Sequence, residues 1–451
     1  MNKHRITYKN TSSFSNLIID YISEDKKFKP FISDFPSIDN FKKIIDLKDQ
    51  NLNVNRSVLY DVLTDQNSLI SLSKKSKNNI NLLKDSNTYT VTTGHQLCLF
   101  TGPLYFIYKI ISTINLSENL QSQFPDYNFV PIFWLASEDH DFKEINHLNI
   151  FGKKVTWYTD QKGAVGRMNT KELESVLDEL KLIIGTSINA EVIIDLFKKS
   201  YLSNSNLSES IRCLVNEIFG KYGIVIIDGD DKKLKREFLP IMKKDLCNKS
   251  LFKSLISCSN NLSKYYKNQA YIREINFFKI SKGDRSRVLN VVSENEVDKY
   301  PELFSPNVLM RPIYQETILP NLAYVGGGSE LSYWMQLKDM FDLEELMFPI
   351  LILRNSVLWI EDKDYKKFKE LGFKIEDIFK SDHDLQKVFV DKKSSISLAE
   401  EKQQIISIFN NILEKNKNSS LRSSIESESK KQLIAVLKLE KKLLKLEKQK
   451  H

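Results

Sequence analysis

From Tyr222 to Ile227 the chain reads Tyr-Gly-Ile-Val-Ile-Ile and then stops at Asp228-Gly229-Asp230-Asp231. A near-continuous apolar run cut off by turn residues is the pattern of a strand covered on both faces, and such strands belong to parallel sheets sandwiched by helices. Three further runs share the pattern: the β-branched Tyr89–Thr93, Phe129–Leu135, and Phe348–Leu353, with a shorter strand expected over Lys154–Tyr158. Helical periodicity separates them, so the spacing predicts βαβ units, an α/β class and a mostly parallel sheet. Such sheets bind ligands in the crevice beyond the carboxyl ends of their strands. The residues just past each run are therefore the place to look for chemistry.

Two polar signatures come directly after the first two runs and together hold three of the six histidines. The first is Thr92-Thr93-Gly94-His95-Gln96, leading through Leu97-Cys98-Leu99-Phe100 to Thr101-Gly102-Pro103. Thr or Gly at a cap with Pro in the first turn marks the start of a helix. Leu104, Ile107, Tyr108 and Ile111 continue at helical spacing and place Lys109 a turn and a half inside. Hydroxyls of Thr93 and Thr101, the polar atoms of His95 and Gln96, free N–H groups at Gly102 and the Lys109 ammonium suit a phosphate or carboxylate. The second signature is Ser137-Glu138-Asp139-His140-Asp141, continuing to Asn146-His147. Crowded carboxylates can orient a histidine as general base, or hold Mg²⁺ beside a phosphate-bearing cosubstrate. A zinc site through His140 and His147 lacks an evident third ligand.

A third constellation lies near residue 320. Arg311-Pro312-Ile313-Tyr314-Gln315-Glu316 precedes Tyr324-Val325-Gly326-Gly327-Gly328-Ser329-Glu330, and three consecutive glycines stand out among only 14 in the chain. A glycine loop leading into a helix, here Ser329 to Lys338, is a cradle for a ligand. It matches neither a Walker loop nor a dinucleotide fingerprint.

At 451 residues the chain is too long for one core, and two or three domains are expected. Residues 1–85 are helical, 86–395 form the sheet core with polar insertions at about 155–215 and 245–300, and 396–451 form a separate helical piece. In that piece Ile405, Ile408 and Ile412 step by three and four, Lys415 to Ser420 breaks the pattern, and Val436, Leu439, Leu443 and Leu446 repeat a coiled-coil seam. The reading is a helical hairpin in need of a partner helix or subunit.

The net charge of +8 does not spread over a phosphate-binding face. Eight Lys and three Glu between Glu428 and Lys450 account for +5 of it, leaving +3 elsewhere. No nucleic acid partner is expected, although an RNA-binding module and a metal-dependent hydrolase stand as alternatives. No apolar run approaches a membrane span, the first residues hold no signal-peptide core, and Cys98, Cys213, Cys247 and Cys258 form no C-x-x-C pair. These features predict a cytoplasmic protein with reduced thiols.

The same residues carry a family resemblance. TGHQLCLFTGPLYFIYKIIS (93–112), VPIFWLASEDHDFKEINH (130–147), YGIVIIDGDD (222–231), RPIYQETILPNLAYVGGGSELSYWMQLK (311–338) and FPILILRN (348–355) resemble the cysteine ligases of bacillithiol biosynthesis, the BshC family. Members often carry Gln where this chain has His95, and usually continue past the coiled coil, where this chain stops at His451. The resemblance implies a Rossmann-like, nucleotidyltransferase-like core with helical insertions and a coiled-coil domain that promotes homodimerisation. It also implies the last step of the pathway, amide formation between L-cysteine and glucosaminyl-malate. An acyl species activated by ATP with Mg²⁺ would suit such a fold. On that expectation Glu138, Asp139, His140 and Asp141, with His95, are the catalytic candidates. Thr93, Gly94, Gln96, Thr101, Gly102, Lys109, Asn146, Arg311, Gln315, Glu316, Gly326, Gly327, Gly328 and Glu330 are the binding candidates.

Overall fold

The computed structural model describes residues 3–393, 398–415 and 421–448. They fall into two compact units, one from Ser15 to Val357 and the other within Met1–Phe14 and Leu358–His451. No helix among the described residues is long and apolar enough to cross a membrane.

The larger unit is built on five strands: β1 (Thr88–His95), β2 (Asn128–Leu135), β3 (Val225–Asp228), β4 (Asn321–Gly326) and β5 (Ile350–Leu353). Their order is β5-β4-β1-β2-β3 and every pairing is parallel. The expected α/β class and parallel sheet are thus present, in the doubly wound arrangement of a Rossmann-like fold. The chain steps outward from β1 to β2 and β3, then returns to lay β4 on the other side of β1. That reversal makes the β1/β4 gap the topological switch point.

Apolar strands are explained by cover on both faces. On one side Phe106, Ile110 and Ile114 of α1 (Tyr105–Gln123) pack with Phe133, Leu135 and Ile226. On the other, Phe41, Ile44 and Ile45 of the helix Ile38–Asn51 pack with Tyr89, Val91 and Val325. As expected, the residues before β1 are helical, in Asn16–Ile22, Ile38–Asn51, Arg56–Gln66 and Lys74–Leu82.

Four expectations are corrected. Asn321–Gly326 is a central strand rather than only the approach to a glycine loop. The shorter strand, Lys153–Thr156, pairs antiparallel with His147–Ile150 outside the main sheet. Residues 277–306 hold a second small sheet, with Asp284–Arg287 and Phe304–Pro306 flanking Phe277–Ser281. The helix after β4, α2 (Gly328–Trp334), ends before Lys338, where a new helix begins.

In the smaller unit, α3 (Ala399–Lys415) and α4 (Arg422–Lys448) form the hairpin. Lys402 near the start of α3 meets Glu440 near the end of α4 at 2.6 Å, so the arms are antiparallel. The seam differs from the one expected: Val436 and Leu443 are half-buried, whereas Leu439 and Leu446 are 53% and 59% exposed. The expected domain boundary at 395/396 and most of the break at 415–420 lie outside the described residues. The smaller unit already takes in the helices Asp362–Glu370 and Asp382–Lys393.

Candidate active site

Lys109 is the first surprise at the switch point. It is not a solvated helix residue but 2% exposed. Its ammonium donates to the Gly94 carbonyl at the end of β1 and to both Glu330 oxygens at 2.8 Å. Glu330 also accepts from the Tyr324 hydroxyl at 2.6 Å and from the Gly327 N–H at 2.8 Å. Burial pushes this carboxyl up, but Lys109 and the other donors outweigh it and hold its pKa at about 2. The ion pair pins α1 to the start of α2 across the switch point.

This pin also revises the glycine cradle. The Gly327 N–H expected to face a ligand is taken by Glu330. Gly326 is required by space: a Cβ there would sit 2.8 Å from Leu331 Cδ1. Gly328 is the first residue of α2, a helix capped by the protein's own carboxylate.

Thr93 donates to the Val325 carbonyl at 2.7 Å, which stitches β1 to β4. His95 closes β1 with Nδ1 on the Gln96 carbonyl at 2.9 Å and its ring edge-on to Phe106. Burial, reinforced by the Lys109 charge, lowers its pKa to about 4, so it is neutral near pH 7. Thr101 and Gly102 do not cap α1; both adopt positive φ (71° and 59°), and the helix starts at Tyr105 with no side-chain cap. A Cβ on Gly102 would lie 2.5 Å from Cys98 Cβ, so this glycine serves the turn. Burial raises the Cys98 thiol to about 12, the behaviour of a packed thiol.

What the switch point leaves open is Arg311. Its guanidinium lies 5.3 Å from the Tyr324 ring and 5.9 Å from the rings of Trp134 and Trp334. Nη1 donates to Gln315 at 3.0 Å, while the buried Nη2 has no hydrogen-bond partner. This desolvated guanidinium, walled by aromatic rings and beside the Tyr333 hydroxyl, has the chemistry to donate to a carboxylate or phosphate oxygen. Behind it, Gln315 donates to Glu316 at 2.8 Å.

The second signature meets the first through Gln96, whose amide donates to Asp139 at 2.9 Å and to Glu144 at 2.7 Å. Asp139 also accepts the His140 N–H at 2.7 Å, which fixes its carboxylate in the turn after β2. His140 Nδ1 lies 2.9 Å from Arg285 and 3.6 Å from Asp139. Arginine only donates, so Nδ1 accepts and the ring hydrogen sits on Nε2. The imidazole is then a donor at Nε2, which does not suit the base role expected of it. Arg285 stacks 3.9 Å over Phe278, which also lines a cavity of about 160 Å³ with Asn276, Arg287 and Asn307.

Glu138 is bound otherwise. Lys235, 1% exposed, meets it at 2.6 Å and Asp230 at 3.2 Å, while Arg167 grips Asp230 at 2.8 Å. Burial opposes the Lys235 charge, but the two carboxylates outweigh it and raise its pKa. Glu138 is therefore a member of a closed ion network. Asp141 is exposed, ahead of the short helix Phe142–Ile145. Asn146 braces the side hairpin through the Trp157 carbonyl at 3.1 Å and receives His147 at 3.2 Å. Among the described residues no three His, Cys, Asp or Glu side chains converge as metal ligands.

Lys235, Arg167 and Arg285 are the site residues that sequence reasoning misses. Lys235 is one of four basic residues in a five-residue run, and Arg285 lies in a polar insertion, so neither carries a local signal.

Comparison with known proteins agrees along the whole chain. Residues 1–355 match the family model "Bacillithiol biosynthesis BshC, N-terminal Rossmann-like domain", and residues 357–451 match "Bacillithiol biosynthesis BshC, C-terminal coiled-coil domain". A protein of Flavobacterium psychrophilum named "Putative cysteine ligase BshC" is 43% identical over 99% of this chain and 88% of its own length. Proteins of the same name are 41% identical in Flavobacterium johnsoniae (98% and 88% covered) and 36% identical in Cytophaga hutchinsonii (99% and 88%). With both domain models matched end to end on a doubly wound sheet, the chain belongs to the BshC family of bacillithiol biosynthesis.

Proposed function

We propose that this protein is a cysteine ligase that joins the carboxyl group of L-cysteine to the amine of glucosaminyl-malate, the last step of bacillithiol formation. The observation that carries the reading is the match of both domains to one biosynthetic family, with relatives that bear the ligase name at up to 43% identity.

Amide formation from a free carboxylate is uphill in water, so the reading includes an acyl group activated by ATP with Mg²⁺. In this reading an anionic group is received by Arg311, whose buried Nη2 has no hydrogen-bond partner among the described residues. With no three-ligand cluster among the described residues, Mg²⁺ would rest mainly on phosphate oxygens and water. In the coupling step the amine nitrogen attacks the acyl carbon, the C–N bond forms and the bond to the leaving group breaks. Asp139, held in place by Gln96 and the His140 N–H, takes the amine proton, and the Nε2–H of His140 donates to a developing oxyanion. The test is purified protein with L-cysteine, glucosaminyl-malate and a nucleoside triphosphate, with the thiol product followed by mass spectrometry. Failure with every triphosphate, and again in cell extract, overturns it.

The reading also takes the protein as a cytoplasmic homodimer paired through the hairpin. Ile408, Ile434, Leu437, Leu439 and Leu446 leave apolar surface on its arms. Burying an aliphatic side chain contributes about 1.5–3 kcal/mol, so a few per subunit support a two-fold contact. Light scattering over a concentration series distinguishes dimer from monomer.

A further inference from the structure

Five consecutive residues of the first polar insertion, Gly163-Ala164-Val165-Gly166-Arg167, touch each piece of chain that carries the proposed proton chemistry. The Val165 N–H donates to the Asp139 carbonyl at 2.7 Å and the Gly166 N–H to the Ser137 carbonyl at 2.8 Å. The turn after β2 is thus held by its main chain on both sides of Glu138. Arg167 grips Asp230, just past β3, through Nε and Nη2 at 2.8 and 2.9 Å. Asp230 in turn shares Lys235 with Glu138. At the other end, Gly163 lies against the turn of the hairpin formed by Phe277–Ser281 and Asp284–Arg287. A Cβ on Gly163 would come 3.1 Å from the Asp284 nitrogen and 3.2 Å from the Gly283 carbonyl carbon. The next residue of that hairpin is Arg285, whose Nη1 meets His140 Nδ1 at 2.9 Å.

The fit is tight and the segment is anchored. A Cβ on Gly166 would lie 2.4 Å from Ser208 Oγ, 2.5 Å from Ser137 Cβ and 2.9 Å from Ser137 Cα. Ser208 belongs to the helix Leu207–Phe219, so Gly166 is wedged between that helix and the turn after β2. Val165 and Met168, 1% and 3% exposed, join the core cluster that holds Leu173, Leu207 and Ile211. The Met168 carbonyl also accepts the Leu207 N–H at 2.9 Å. Apolar burial fixes the segment on one side. On the other, its hydrogen bonds go to Ser137, Asp139 and Asp230, which packing of an insertion does not by itself require.

We propose that Gly163–Arg167 is the positioning element of the Asp139–His140–Arg285 cluster: it sets where the Asp139 turn stands relative to the hairpin that carries Arg285. The inference rests on the reading that Asp139 and His140 carry the coupling step. No residue of the segment touches the reacting atoms, so disturbing it lowers kcat and leaves KM in place. Misplacement by an ångström costs up to about 10²-fold in rate.

The test uses full-length Gly166→Ala and Arg167→Met, read by kcat, KM, a thermal scan and ¹⁵N spectra of histidine-labelled protein, with the His140 signal assigned by His140→Gln. Gly185→Ala is the control. It strains the same insertion at a positive φ of 76°, where a Cβ meets nothing within 4 Å. The expected result for Gly166→Ala is a fall in kcat of at least about tenfold with KM within about twofold, and for Arg167→Met a smaller fall of the same kind. In both, the single Nε2–H tautomer of His140 should give way to a mixture, while Gly185→Ala lowers only the melting temperature. Should Gly166→Ala fail to fold, Arg167→Met decides, because half of that side chain is exposed. Folded variants that keep kcat and the single tautomer overturn the proposal, as does an equal loss in Gly185→Ala. If the unaltered protein makes no product, the ligase reading falls and the tautomer alone decides whether the segment positions the cluster.

Discussion

Two charged groupings stand beyond the carboxyl ends of the same sheet, and they differ in what they leave unsatisfied. Around Lys109 and Glu330 each charge is met: the buried lysine by two oxygens and a carbonyl, the partly exposed carboxylate by three donors. Around Asp139, His140 and Arg285 the carboxylate and imidazole are partly exposed while the guanidinium is buried, and the geometry leaves Nε2 of the imidazole as a donor. Charge alone does not mark a reactive site. A saturated ion pair holds helices together, and a partly satisfied cluster can still engage a substrate.

The comparison is broken most directly by swapping the expected consequences. Asp139→Asn keeps the shape and removes the base, so turnover should fall by roughly 10²–10⁴-fold with the melting temperature nearly unchanged. Product formation and a thermal scan on the same preparation check it; full activity would relocate the base. Lys109→Met should do the reverse. Leaving the partly exposed Glu330 without its cation should cost about 1–3 kcal/mol of folding stability, read by denaturant titration. A stable Lys109→Met protein that merely binds substrate poorly would put Lys109 back in the binding role its sequence position suggests.

His95 sharpens the contrast through pH. Its folded pKa is about 4 against an ordinary 6.5, so the unfolded chain binds the proton more readily between those values. The stability it contributes is complete above pH 6.5 and is lost as pH falls towards 4. This amounts to about 2–3 kcal/mol. His95→Gln should flatten that part of the stability profile while keeping activity; an unaltered profile would mean the imidazole is not held neutral. Arg285→Gln is the smallest effect. Loss of the donor on His140 Nδ1 frees the ring to change tautomer, and turnover should fall about tenfold. A shift in the pH dependence of turnover should accompany it, with KM unchanged.

The strands that are legible in the sequence are those whose two faces both meet apolar cover: Phe129–Leu135, Ile224–Ile227 and Ile350–Leu353. The central strand Asn321–Gly326 hides because it opens with a polar residue. Asn321 is fully buried and satisfied by Thr90 and Thr92 of β1 and by Glu316, partners that exist only once the strands pair. The hairpin seam is half legible for a similar reason. Heptad spacing finds Val436 and Leu443 but does not say which side of each helix faces the other arm.

The same division runs through the site. Sequence alone determines the α/β class, the family, and the two polar signatures after β1 and β2, because these depend on local periodicity and on residues close in the chain. Tertiary structure alone decides which charges are free. Lys109 meets Glu330 across 221 positions and His140 meets Arg285 across 145. Hydrogen-bond saturation is a property of space, and a chain read in one dimension does not contain it.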